Sequence, residues 1–423
     1  MEIDSLENDK LKTNKNSLGN EKNTNIISEK SLNCWFNKTL IIIGFLVYLI
    51  IVYLFRTKLY SNKNINRKTE EEINSKDFNA QKKLDNIEKY KIFKTNSSFY
   101  GPVFPDDGKI TLEWMLDLID FMKDLENVKT FEEKYIDKIC LIKMLSKVKE
   151  IFSEQEESLV DIDIPDGINL TVVGDVHGQY YDLLHIFEIN GYPSENNYYL
   201  FNGDFVDRGV FGLECLITLI GFKILYPDYF FIARGNHEDR AMNFNYGFRN
   251  EILYKYEDEV IYDCIAEFYK YLPLGHVLSN EILVIHGGLF SQEGVTLDEL
   301  KKINRFQDVP EDGLMCELLW SDPWEENGVI SSPRGIGVLF GPDVTEKFLK
   351  ENNLSLLIRS HEVRMEGYQI ETGGQVITVF SAPNYCDQAG NKGGLIKFHG
   401  GYLDVPIFIQ FGASPHPDFY LPK

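Results

Sequence analysis

Paired cysteines are the first thing missing from this chain. The six cysteines, Cys34, Cys140, Cys215, Cys264, Cys316 and Cys386, make no Cys-x-x-Cys and no framework spacing. Neither a disulfide-stapled secreted fold nor a thiolate metal site is indicated, and a reducing compartment suits such thiols. No internal repeat is visible, which excludes a helical-repeat array ahead of the folded body. Basic charge is short as well: 43 Lys and Arg face 65 Asp and Glu, for a net charge of −22.

The acidity is uneven. Residues 1–39 balance six basic against six acidic side chains, while residues 56–100 carry eleven against six. Residues 101–423 therefore hold a net of about −27. So acidic a body is a poor partner for nucleic acid. Long apolar runs are equally scarce, with one exception at Leu40 to Phe55. That run gives roughly 24 Å of helix, and adding Trp35 to Thr39 matches a hydrocarbon core of about 30 Å. Lys38 can snorkel, with Trp35 and Tyr53 at the interfaces. The expectation is a single-pass anchor over residues 34–55 in contact with the lipid bilayer. A polar, disordered tail (1–33) precedes it and a basic, flexible linker (56–99) follows. More Lys and Arg flank the run on its C-terminal side, which places the body (100–423) in the cytosol.

Within the body, Leu112, Met115, Leu116, Ile119 and Met122 repeat at helical spacing, as do Ile136, Ile139, Cys140, Met144, Val148 and Ile151. Beyond Gly167 the pattern changes to short apolar runs that end in motif residues, separated by helical stretches such as Tyr180–Ile189 and Gly212–Leu225. Alternating strands and helices argue an α/β fold with its chemistry at the strand ends.

Six motifs carry that chemistry: Gly174-Asp175-Val176-His177-Gly178, Gly203-Asp204-Phe205-Val206-Asp207-Arg208-Gly209, Gly235-Asn236-His237-Glu238, His286-Gly287-Gly288, Arg359-Ser360-His361-Glu362 and Ser381-Ala382-Pro383-Asn384-Tyr385-Cys386. Asp175 and His177 sit two apart and can address one cation, and Asp204 is the natural carboxylate to bridge two. Asn236, His286 and His361 offer an oxygen and two imidazoles to the second. Mixed nitrogen and oxygen ligation suits Mn, Fe or Zn better than Mg or Ca. A pair of such ions lowers the pKa of a shared water and clamps phosphoryl oxygens, so the expected reaction is direct attack by a hydroxide bridging two metals. His237 is placed to protonate the leaving group, with Asp207 to orient it. Arg208 and Arg334 can grip phosphate through their guanidinium forks, and Tyr385 through its hydroxyl.

In this order the motifs resemble the metal-dependent serine/threonine phosphoprotein phosphatase family, and its type 5 branch in particular. Tyr180-Tyr181-Asp182-Leu183-Leu184, Leu319-Trp320-Ser321-Asp322-Pro323, Phe340-Gly341-Pro342-Asp343-Val344 and Asp387-Gln388-Ala389-Gly390-Asn391-Lys392 extend the similarity over roughly Gly101 to Pro417. The resemblance implies a central mixed β-sandwich flanked by helices around a dinuclear metallophosphoesterase site. It implies phosphoserine and phosphothreonine proteins as substrates, and the ligand and acid roles just given. The type 5 branch carries tetratricopeptide repeats where this chain is expected to have tail, anchor and linker. Two other readings are a nucleotide or dinucleotide phosphohydrolase and a membrane-held pseudophosphatase.

Overall fold

The computed structural model describes residues 101–123 and 135–417. The expected tail, anchor and linker lie outside the described residues. Among the described residues, no helix is long and apolar enough to cross a membrane.

Two β-sheets stack face to face, with helices covering their outer faces. One sheet has five strands in the order β14-β13-β2-β3-β4: Tyr402–Phe411, Gly393–His399, Asn169–Val173, Asn197–Phe201 and Phe230–Ile232. The other has six, β1-β5-β6-β10-β12-β11: Leu159–Ile162, Gly275–Leu278, Ile282–Ile285, Leu356–Arg359, Val376–Val379 and Tyr368–Ile370. A small third sheet, β7-β9-β8, comprises Asp322–Pro323, Val338–Phe340 and Val329–Ser331.

Strand periodicity explains the layering. In β2, Leu170 and Val172 point into the core between the sheets, while Val173 joins the outer core beneath the helices. In β6, Ile282 and Val284 face inward, and Leu283 and Ile285 pack outward. Alternate side chains of a strand serve opposite faces, so both faces must be apolar when both are covered.

Helices α1 (Leu112–Lys123), α2 (Lys138–Ser153), α3 (Tyr180–Asn190), α4 (Gly212–Leu225), α5 (Arg240–Tyr246), α6 (Phe248–Tyr256) and α7 (Glu259–Tyr269) come before β5. Most of them cover the five-stranded sheet. The two helices expected before Gly167 are α1 and α2; Asp137 caps the second by accepting from the Ile139 and Cys140 N–H groups. Nearly all of α4 is buried, as its run of apolar residues requires. Gly221 lets α1 approach it closely, since a Cβ there would lie 2.5 Å from the Met115 sulfur. Helices α8 (Leu297–Lys301), α9 (Leu314–Trp320) and α10 (Pro342–Glu351) follow β6, and their apolar residues pack on the outer face of the six-stranded sheet.

Register brings the site together. Strands β2, β3 and β4 run parallel, with Val173 opposite Phe201 and Phe201 opposite Ile232. Strands β6, β10 and β12 run parallel in the other sheet, with Val284 opposite Ile358 and Ile358 opposite Ile377. Five of these six strands end just before one of the motifs, and β10 ends on the first residue of its own, Arg359. Side chains then stitch the two sheets at this edge. The Asn202 amide donates to Ile285 O at 2.7 Å and Ser360 Oγ at 2.9 Å. Ser381 Oγ accepts from Gly174 N at 2.8 Å, and Asp175 pairs with Phe380 in a parallel bridge.

Candidate metal and phosphate site

The loops leaving the strands are bent hard. His177, Asp204, Asp207, Arg208 and His361 all have φ between 44° and 73°, a left-handed region that non-glycine residues enter at a cost of order 1 kcal/mol each. Backbone hydrogen bonds hold them there: Val176 and His177 N–H both donate to Asp204 O, at 3.1 and 2.9 Å. Beneath the turns, the buried Glu238 carboxylate accepts from the N–H groups of Asp204 (2.7 Å), Gly235 (2.8 Å) and Phe205 (3.1 Å). Gly235 is required by space, because a Cβ would come within 2.2 Å of Asp204 Oδ1.

Asp204 is the hub. Its Oδ2 lies 3.3 Å from His286 Nε2, 3.6 Å from His177 Nε2 and 4.0 Å from His237 Nε2. Two groups of potential ligands share it: His177, Asp204 and His237, and Asp204, His286 and His361. Asp175 Oδ2 stands 3.6 Å from His177 Nε2. His286 Nε2 lies 2.9 Å from Asn236 Oδ1 and 3.2 Å from His361 Nδ1. Backbone carbonyls fix two of the rings from behind, Val206 O at 2.9 Å from His177 Nδ1 and Asn202 O at 2.8 Å from His286 Nδ1. That arrangement leaves both Nε2 atoms aimed inward, as second-layer acceptors do for ligating imidazoles.

The donor set fits cations. Asp175 Oδ2 and His361 Nε2 are buried without a hydrogen-bond partner, and buried polar atoms are costly unless paired. Two carboxylates, three imidazoles and an amide oxygen crowd together, a mixed nitrogen and oxygen donor set that fits divalent ions. Asp175, His177, Asp204, Asn236, His286 and His361 could hold them.

Electrostatics separates the imidazoles. Burial, and next the neighbouring His237, hold His177 down to about 3, so its ring is neutral. Burial opposes charge on His286 too, but the Asp204 carboxylate overrides it and lifts that ring to about 9. His237 is also raised: burial works against its charge, and Asp204 and Asp207 outweigh it. The contact behind His237 is firm, with Nδ1 2.8 Å from Asp207 Oδ2. Asp207 is fixed in turn by Asn243 Nδ2 at 2.9 Å and Phe248 N at 2.9 Å.

A cavity of about 320 Å³ opens over this cluster. Nine of the eleven residues expected from sequence line it, and Asp207 and His286 sit behind the wall. Arg208 reaches it stacked on the Tyr246 ring, 4.0 Å from the centroid. Arg334 comes from the loop between β8 and β9 and is tied to Asp322 at 2.6 Å. Tyr385 packs against the rings of Phe380 and His177, at 5.1 and 5.2 Å between centroids.

Sequence reasoning missed the apolar wall of Met242, Tyr246, Trp320, Val363 and Phe380, and it missed the supporting Asn243, Asp322 and Arg359. It quoted Glu238 without a role. Trp320, Asp322 and Arg359 stood in quoted motifs without a role, while Met242, Asn243, Tyr246, Val363 and Phe380 carry no motif signal, since their part depends on which loops fold beside them. Glu238 could have been found, as an acid directly after a ligand and histidine in a tight strand-end loop, and Arg359 as a charged residue inside a ligand motif.

The calcineurin-like phosphoesterase family profile matches residues 168–365. Human serine/threonine-protein phosphatase 5 is 46% identical over 357 residues, which cover 84% of this chain and 69% of that protein. Serine/threonine-protein phosphatase T of Trypanosoma brucei brucei is 54% identical, covering 67% of this chain and 60% of its own length. Among solved structures, a protein serine/threonine phosphatase from Saccharomyces cerevisiae superposes with a TM-score of 0.64 at 43% identity, covering 67% of this chain and 93% of that one. The strand-end ligands, the stacked sheets and these similarities agree: the chain belongs to the serine/threonine-protein phosphatases of the calcineurin-like phosphoesterase family.

Proposed function

We propose that this protein hydrolyses phosphoserine and phosphothreonine in other proteins. The observation that supports it most is the shared Asp204, which lies between two buried ligand groups at the floor of a cavity edged by two arginines. Two divalent ions, Mn or an Fe/Zn pair, would polarise the phosphoryl group and make water nucleophilic at neutral pH. Asp175, His177 and Asp204 hold one, and Asp204, Asn236, His286 and His361 the other.

The remaining residues handle the phosphate and the proton. Arg208 and Arg334 take phosphoryl oxygens in planar, charge-assisted contacts, and Tyr385 adds a hydroxyl. The alkoxide of serine is too basic to leave unprotonated, so a donor is needed. Asp204 and Asp207 raise the pKa of His237 against its burial, and with Nδ1 held by Asp207, Nε2 is left to deliver a proton. Trp320, Phe380 and Tyr385 limit water around the ester.

The test is turnover of a phosphoserine peptide by the full chain with manganese, run beside a dinucleoside polyphosphate. Faster cleavage of the dinucleotide would overturn this reading in favour of a nucleotide phosphohydrolase. Equal turnover by wild type and Asp204→Asn would point to a pseudophosphatase.

The apolar run Leu40 to Phe55 also supports attachment to a membrane, with the catalytic body on the cytosolic side. On this reading the protein resists alkaline carbonate extraction, and deleting residues 34–55 releases it. Full extraction of the intact chain would rule the anchor out.

A further inference from the structure

Arg334 does not stand free at the cavity edge. Its Nε donates to Asp322 Oδ2 at 2.6 Å and its Nη2 to Asp322 Oδ1 at 3.4 Å, a two-point fork that fixes the plane of the guanidinium. The arginine sits on a turn closed by Gly335 N to Ser332 O at 3.1 Å, and about a third of its side chain, 34%, is open to solvent. Asp322 is the reverse: its side chain is 6% exposed.

A second arginine reaches Asp322 from behind. Arg359, the last residue of β10 and fully buried, donates from Nη2 to Asp322 Oδ1 at 2.9 Å. Its other N–H groups go to Gly287 O at 2.7 Å, Glu362 Oε2 at 2.8 Å and Ser321 O at 3.3 Å. Gly287 directly follows His286, and Glu362 directly follows His361. One planar side chain therefore touches both imidazole loops of the six-stranded sheet and the carboxylate that carries Arg334.

A carboxylate this buried is stable only while its charged partners stay in place. Asp322 has a partner on each side, so its position is over-determined and it can aim the more exposed arginine. Ordering Arg334 before phosphate arrives removes the entropy that a loose side chain would lose on binding.

We propose that Asp322 is a positioning residue for phosphate, anchored by Arg359 and acting through Arg334. The proposal rests on the phosphate-gripping role given to Arg334 above. It separates two functions of the six-stranded half: Arg359 keeps hold of the imidazole loops through Gly287 and Glu362, while Asp322 serves the substrate.

The experiment is a double-mutant cycle on the full chain, combining Asp322→Asn with Arg334→Ala, read by inorganic-phosphate affinity in calorimetry and by kcat and KM on a phosphoserine peptide. Asp322→Asn is expected to weaken phosphate binding and raise KM by about tenfold each, with kcat changed less and the manganese needed for half-activation within about twofold. In the Arg334→Ala background it should cost nothing further. Asp322→Glu, which keeps the charge, should recover part of the loss, and it replaces Asp322→Asn in the cycle if the amide variant fails to fold.

Additive losses overturn the proposal, as does a defect that appears in manganese affinity instead of phosphate affinity. Wild-type protein that turns over ester while the cycle is additive refutes this inference alone. Wild-type protein that neither binds phosphate nor releases it refutes the phosphatase reading as well.

Discussion

The two sheets do not contribute alike to the site. The five-stranded sheet supplies Asp175, His177, Asp204, Asp207, Arg208, Asn236 and His237 from the ends of three adjacent parallel strands, and four of those residues are held at positive φ. The six-stranded sheet supplies His286, His361 and Tyr385 together with the Arg359–Asp322 brace; His286 is unstrained, but His361 and the Asn384, Cys386 and Asp387 turn around Tyr385 also have positive φ. One half concentrates the carboxylates and the proton donor. The other offers two imidazoles, a tyrosine and a buried scaffold of arginine contacts. The lesson is that acid–base chemistry gathers on one sheet's loops, while the facing sheet completes the ligand set and braces it; strained turns occur on both.

That asymmetry can be broken at its centre. Asp204 serves both ligand groups, so Asp204→Asn should lower kcat/KM for a phosphoserine peptide by roughly a thousandfold or more. His361→Ala, which removes one ligand from one group, should cost less. Steady-state kinetics at saturating manganese would show the order, and equal losses would erase the distinction between the halves.

The proton donor comes next. His237→Gln should reduce kcat by about 10²–10⁴ on a phosphoserine peptide, because the leaving alkoxide needs protonation. On an aryl phosphate with an acidic leaving group the loss should shrink to a small factor. Asp207→Asn should fall between wild type and His237→Gln on the peptide, since Nδ1 keeps a weaker partner. A full loss on both substrates would show that His237 acts as a ligand to the cation instead.

Much of this half was legible in the sequence, for a physical reason. Its functional residues lie one to three residues apart in short loops, so Asp175 with His177, Asp204 with Asp207, and Asn236 with His237 announce themselves by type and spacing. The short apolar runs that lead into the motifs proved to be strands such as β2, β3, β4, β6 and β10, because runs of three to five apolar residues must be buried on both faces. The helices Gly212–Leu225 and Tyr180–Asn190 matched their periodicity to within a residue. What sequence could not show is contact across the sheets. Asp322 precedes Arg359 by 37 positions, and nothing in the stretch Leu319 to Pro323 marks it as the partner of either arginine. Tyr246 and Met242 belong to a short helix whose place over Arg208 is set by packing, and Asn243 is unremarkable until Asp207 is seen beside it.

The seam between the sheets allows a smaller test. Asn202 bridges β6 and β10, so Asn202→Leu leaves Ile285 O and Ser360 Oγ without that donor and should lower stability by about 1–3 kcal/mol in urea denaturation. Activity of the remaining folded protein should drop, because both sheets lose a shared fixing point at the site. Unchanged stability would mean that the halves hold together without it.

The smallest effect concerns acid sensitivity away from the site. His276 on β5 is buried with its Nδ1 unpartnered, and burial holds it down to about 3, aided by Lys223 and Arg305. Its folded pKa is below the unfolded value of about 6.5, so the unfolded chain binds the extra proton. The associated stability is present above about pH 6.5 and is lost as pH falls toward 3. His276→Phe should therefore flatten the stability profile between pH 6.5 and 5 by about 2 kcal/mol. An unaltered slope would place the acid sensitivity elsewhere.

Metal stoichiometry tests the central claim most directly. Full-length protein saturated with manganese and freed of excess should retain two ions per chain by elemental analysis, and Asp204→Asn should retain at most one. A wild-type protein that holds a single ion, or an Asp204→Asn variant that still holds two, would contradict the account of a shared carboxylate joining the two sheets' ligands.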